Sequence, residues 1–126
     1  MIALAISIRQ PWAWLIVNGY KHVENRTWNT HWRGHILVHA AKGMTYAEYM
    51  QAKALFHQVH GDKAQMPIPQ RLERGGIVGE ATITDVVRES DDPYFFGPIG
   101  FVLADAKPLK FRPMRGRLGM FQVSDD

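Results

Sequence analysis

Gly19-Tyr20-Lys21-His22-Val23-Glu24-Asn25-Arg26 is the stretch on which the reading of this chain turns. Its polar skeleton is G-x-K-x-x-E-x-R. In a strictly extended chain, His22, Glu24, Arg26 and Trp28 share one face and Lys21 points the other way. Only a bend near the preceding helix end lets Lys21, Glu24 and Arg26 meet, and Gly19 makes that bend cheap. A site holding one carboxylate between two cations can keep Glu24 ionised and can present Arg26 as a fork for phosphate. Lys21 can anchor a phosphate, or act as a base if burial lowers its pKa. The plainer alternative is a lysine complementing the negative end of a helix dipole, beside a surface ion pair worth little.

Upstream, Leu4, Ile6 and Ile8 alternate with Ala5, Ser7 and Arg9, the period of a half-buried strand that starts at Met1. Pro11 opens a helix of about eight residues, closed by Asn18-Gly19 and dependent on packing for its stability. Downstream, Tyr20 to Trp28 reads as extended and 29–34 as a polar turn. Gly34 to Ala41 reads as a strand with Ile36, Val38 and Ala40 on one face and His35, Leu37 and His39 on the other. Thr45-Tyr46-Ala47-Glu48 is a capping box opening a helix to about Val59, stopped by Gly61. Residues 62–76 read as a long loop with at most one helical turn. Strands are expected at 76–87, 101–104, 109–111 and 120–123. Five or six short strands with two or three helices give an α+β, mainly β fold, and a partly closed barrel is the economical way to hide the edges.

The chain has 126 residues, 46% of them hydrophobic and 11% aromatic, enough for one domain with a real core. No run approaches the roughly 18–20 apolar residues of a membrane span, and the N-terminus lacks a basic start and a cleavage motif. Zero cysteines exclude a disulfide framework, a thiolate metal site and a cysteine nucleophile, and make the cytoplasm the natural location. The net charge of +3 hides a sharp division. Residues 9–42 carry +4 and residues 107–117 carry +5, while everything else carries −6. All four tryptophans and four of the six histidines fall in the first basic stretch. Basic charge interleaved with flat aromatics suits a polyanion with bases to stack on.

The G-x-K-x-x-E-x-R segment resembles the signature of the ASCH domain family, within the PUA-like superfamily. The likeness is wider than the motif. Ser7-Ile8-Arg9-Gln10-Pro11-Trp12-Ala13 resembles the family's opening strand and helix start, and Arg33-Gly34 with the strand to His39 resembles the next element. Arg74-Gly75-Gly76-Ile77-Val78-Gly79 and Gly116-Arg117-Leu118-Gly119-Met120-Phe121 resemble its later blocks. The resemblance implies a single PUA-like domain over residues 1–126, with a cleft for RNA or a modified nucleoside. No cofactor and no metal are expected, and the sequence leaves the oligomeric state open. Some relatives hydrolyse the amide of N4-acetylcytidine, and ribonuclease activity is also associated with the family. Glu24 stands where the small amidohydrolase members carry a threonine hydroxyl as nucleophile. A carboxylate activates water as a general base but does not replace that hydroxyl.

The expected cleft therefore holds Lys21 and Glu24 as catalytic candidates. Arg9, Lys21, Arg26, Arg33 and Lys42 are its nucleic-acid contacts, Trp28 (or Trp32) stacks a base, and Arg115 and Arg117 extend the phosphate track. Two of the four tryptophans are expected to be buried. Ser7 falls on the strand face of Arg9 and is a conceivable hydroxyl nucleophile near Lys21. His31, His35 and His39 are spaced by four, but on a strand His35 and His39 lie roughly 13 Å apart, too far for one ion. His39 reads as a hydrogen-bonded histidine. The reading favoured is RNA or modified-nucleoside binding, with a metal-independent ribonuclease or N4-acylcytidine amidohydrolase as the alternative and a protein–protein adaptor third.

Overall fold

The computed structural model describes residues 2–124; Met1, Asp125 and Asp126 lie outside the described residues. The elements run β1 (Ile2–Ile8), α1 (Trp12–Val17), β2 (Val23–Arg26), β3 (Gly34–Ala40), α2 (Tyr46–His60), a 3₁₀ turn (Pro69–Arg71), β4 (Gly76–Val87), β5 (Ile99–Pro113) and β6 (Met120–Ser124). The six strands form one mixed sheet in the order β2-β5-β4-β3-β1-β6, with β1–β3 the one parallel pair. No helix among the described residues is long and apolar enough to cross a membrane.

The sheet is open, so the barrel is not closed by a backbone ladder. In a flat sheet β2 and β1 would lie four strand spacings apart, roughly 19 Å at about 4.8 Å each. Yet Arg26 of β2 donates from Nη2 to the Ser7 carbonyl of β1 at 2.7 Å. The sheet must curl for that contact to exist, and a side chain bridges the gap. Two expected strands, 101–104 and 109–111, are one continuous β5. The intervening Asp105, Lys107 and Pro108 are poor strand formers, which is why the pattern broke there. The structure absorbs them with three register shifts against β4 and a positive φ of 53° at Asp105.

The main core lies on the face of Ile6, Ile8, Ile36, Val38 and Ala40, covered by Ala13, Ile16 and Val17 of α1. Gly79 of β4 permits that docking: a Cβ there would lie 2.4 Å from Val17 Cγ1. A second cluster holds Leu15, Val23, Phe56 and Tyr94, and fixes α2 over the α1–β2 connection. A third, smaller cluster on the opposite sheet face holds Ala5, Leu37, Ile77, Phe121 and Val123. Helix α2 starts at the expected box: Glu48 N donates to Thr45 Oγ1 at 3.1 Å, and Thr45 N donates back to Glu48 Oε1 at 3.2 Å.

Candidate functional site

The bend demanded by the motif is made at the end of α1. Gly19 takes φ +83°, and the Tyr20 and Lys21 amides both return to the Leu15 carbonyl, at 2.9 and 3.0 Å. This turns Lys21 inward, where it is 3% exposed. Its Nζ donates to the Val23 carbonyl and to Glu24 Oε1, the latter at 3.1 Å, and lies 5.8 Å from the Trp12 ring centroid. Glu24 Oε2 sits 3.0 Å from Arg26 Nη2, the nitrogen that also reaches Ser7. Lys21, Glu24 and Arg26 are thus one chain of charges, buried at Lys21 and Glu24 and half-buried at Arg26, with a surplus of one positive. Breaking a buried pair leaves an uncompensated charge, so each member holds the next in place. Arg26 keeps one donor in hand: its Nε–H is buried with no hydrogen-bond partner among the described residues.

Two cavities open beside this chain. The smaller, of about 360 Å³, is lined by Arg9, Trp12, Lys21, Glu24, Asn25, Arg26, Gln51 and Phe96, with Ser7 and Ile8. The larger, of about 850 Å³, is lined on one side by Ser7, Arg26, His39 and Lys42, and on the other by the 113–119 loop. Ser7 and Arg26 belong to both walls. Arg26, Lys42, Arg115 and Arg117 bring four cations to the larger cavity, and no carboxylate lines it. The two basic stretches, far apart in sequence, meet there because β1 pairs with β3 on one side and β6 on the other.

Other expected residues are placed differently. Arg9 lines the smaller cavity, but it is clamped through Nε and Nη2 to both Glu48 oxygens. That fork holds the Glu48 carboxyl at about 2, well below its ordinary 4.5. Arg33 donates to the carbonyls of Thr30 and Trp32 in its own loop, and lines neither cavity. Trp28 also lines neither: it is half-buried, packed edge-to-face on Phe101 at 5.2 Å and covered by Arg26. No tryptophan is fully buried. Trp12 and Trp14 are partly exposed in the core margins, and Trp32 is the exposed one at 41%. His35 pairs with Glu80 at 3.0 Å, on the surface.

Three polar residues are more important than their sequence context suggests. Asn25 Oδ1 accepts from the Phe96 and Gly97 amides while Nδ2 donates to the Tyr94 carbonyl, so it positions the loop that rims the smaller cavity. Buried Gln10 accepts from the Trp14 amide and donates to the Glu73 carbonyl, tying α1 to the distant loop. Ser7 does not partner Lys21; its Oγ lies 3.0 Å from His39 Nδ1, its register partner across β1–β3. An Asn at an alternate position of a polar strand was a faint signal for the first. Nothing local signals the Gln10–Glu73 and Ser7–His39 contacts, because those partners lie 63 and 32 residues away.

Among proteins of known family, the ASCH domain model matches residues 6–101. Activating signal cointegrator 1 of Homo sapiens is 30% identical over 105 residues, covering 72% of this chain, and that of Mus musculus is 35% identical over the same length. The match spans only 18% of the length of each relative. Among solved structures, an ASCH protein from Zymomonas mobilis superposes with a TM-score of 0.56 at 15% identity, covering 98% of this chain and 88% of that one. A variant of that protein gives 0.56 at 16% identity, covering 98% and 91%. At such identities the structural likeness speaks for the fold, and the fold, the motif geometry and the match along the sequence agree: the chain belongs to the ASCH domain family.

Proposed function

We propose that this chain, acting as a single domain over residues 1–126, binds RNA or a modified nucleoside within it, in the two cavities that meet at Arg26. The family is associated with RNA binding. The observation that carries the reading is the larger cavity, with Arg26, Lys42, Arg115 and Arg117 in its wall and no carboxylate. Such a wall attracts a phosphate backbone and releases its counterions. The smaller cavity offers Trp12 and Phe96 as apolar surfaces and Asn25, Gln51 and Glu24 as polar edges, a lining suited to one base or nucleoside. Lys21 supports this arrangement from below by holding Glu24, which holds Arg26. The assay is fluorescence anisotropy of short labelled RNAs across a salt series. Binding is expected at low salt, weakening with a slope of about −0.7 per phosphate contacted; no binding at low salt overturns the reading.

A second reading has one observation in its favour: Glu24, a carboxylate held ready beside a cation, lines the smaller cavity. There it would activate water against an RNA phosphodiester or an N4-acylcytidine amide without a metal. Lys21 is the donor in both of its contacts, which suits an electrostatic anchor better than a base. Turnover in EDTA that is unchanged in Lys21→Ala would place any activity outside this site.

A further inference from the structure

The pair Ser7–His39 is left unused by RNA binding and by the Lys21–Glu24 chemistry, and its hydrogen bonds define the tautomer of the neutral ring. His39 is 2% exposed, and its Nε2 lies 2.8 Å from the Met114 carbonyl. A carbonyl only accepts, so Nε2 carries the proton. In the neutral imidazole Nδ1 is then the acceptor, and at 3.0 Å Ser7 Oγ–H donates to it. A hydroxyl donating to an imidazole that a third group orients is the arrangement that activates a serine. The parallel β1–β3 register sets Ser7 opposite His39, and edge-to-face packing on Phe121 at 5.9 Å fixes the ring. The backbone of Gly116 passes so close that a Cβ there would lie 2.7 Å from His39 Cε1 and 2.9 Å from Ser7 Oγ. The absence of that methyl leaves room at the pair. Arg26, anchored on Ser7's own carbonyl, keeps its buried Nε–H unspent.

We propose that Ser7 is a nucleophile activated by His39, and that the larger cavity admits esters bearing an anionic group. Ser7 Oγ bonds to the acyl carbon as its proton passes to His39 Nδ1. The ester C–O bond breaks, and the leaving alkoxide takes that proton. Water then attacks the acyl-serine, yields a proton to Nδ1, and the acid leaves as Ser7 regains its hydrogen. The net change is ester plus water to acid plus alcohol. Lys42, Arg115 and Arg117 supply the preference for negative charge. The proposal does not rest on RNA binding, since every measurement below uses the protein without RNA.

The test is covalent labelling of the full chain with a fluorophosphonate, read by intact mass and peptide mapping; serine attack on phosphorus expels fluoride. One adduct on Ser7 is expected, absent in Ser7→Ala and slowed at least about 100-fold in His39→Asn. Because His39 is buried, Gly116→Ala is the second variant: its methyl crowds the pair and should slow labelling, with the fold checked by circular dichroism. Turnover of para-acetoxybenzoate should exceed that of its uncharged methyl ester by about tenfold or more, a margin that narrows with added salt. No adduct, an adduct on another residue, or equal labelling in folded His39→Asn and Gly116→Ala overturns the nucleophile. Equal turnover of the two esters overturns the anionic preference.

Discussion

The motif and the 113–119 loop are both basic, yet the fold treats their cations in opposite ways. Around the motif it pairs the cations: buried Lys21 and half-buried Arg26 share Glu24, and Arg9, though exposed, is forked by Glu48. In the 113–119 loop, Arg115 and Arg117 are exposed and make no ion pair among the described residues, and neither does Lys42 across the cavity. Buried charge must be satisfied by the protein itself, at a desolvation cost that only close partners offset. Exposed charge remains hydrated and available for a polyanion, and releases counterions when it meets one. The motif therefore builds the wall, and the loop and Lys42 offer the unspent charge. Arg26 belongs to both roles, paired through Nη2 and unspent at Nε.

Glu24→Ala tests this division most severely. It leaves buried Lys21 and half-buried Arg26 without a counter-charge, and should cost about 3–5 kcal/mol in urea-induced unfolding. A loss below about 1 kcal/mol would mean that water already satisfies Lys21 and Arg26, and the contrast between the two stretches would collapse. The converse experiment replaces Lys42, Arg115 and Arg117 together by alanine. Each change should move stability by no more than about 0.5 kcal/mol. RNA affinity at low salt should nevertheless fall at least about tenfold, and the salt slope should flatten by about 2, as three phosphate contacts disappear. Unchanged affinity would shift the polyanion track away from the larger cavity. The smallest effect belongs to Arg9–Glu48, which is paired but not buried. Glu48 titrates at about 2 in the fold against an ordinary 4.5, first through the Arg9 hydrogen bond and then through the Thr45 amide. Its stabilising contribution is complete above about pH 4.5 and is lost as pH falls toward 2. At a surface position it should amount to less than about 1 kcal/mol. Glu48→Gln should remove that part of the acid dependence of thermal unfolding, and an acid profile identical to the parent's would show the fork to be energetically empty.

Much of the fold was legible because its determinants are local. The Thr45 box and Gly61 bracket α2, the β-branched run 76–87 coincides with β4, and the alternation from His35 to Ala40 assigns β3's faces correctly. The need for a bend at Gly19 followed from side-chain periodicity alone, and the bend is where it was expected. Trp28 illustrates the limit. An aromatic beside a basic motif suits stacking on a base, but its ring is taken up by Phe101 and covered by Arg26. Composition cannot distinguish an aromatic facing a cavity from one facing a neighbouring strand.

By itself the sequence determined the strands and helices, the bend that brings Lys21 to Glu24 and Arg26, and the presence of two basic stretches. These depend on periods, caps and backbone preferences acting over a few residues. Only the tertiary structure decided which strands pair, and so which distant residues meet. It joined β5 across a poor strand sequence by shifting register, brought Lys42 and Arg26 to face Arg115 and Arg117, forked Arg9 to Glu48, and set Ser7 against His39. Those contacts close loops of tens of residues. Their free energy comes from burying the shared core, and no local pattern encodes which closure that core selects.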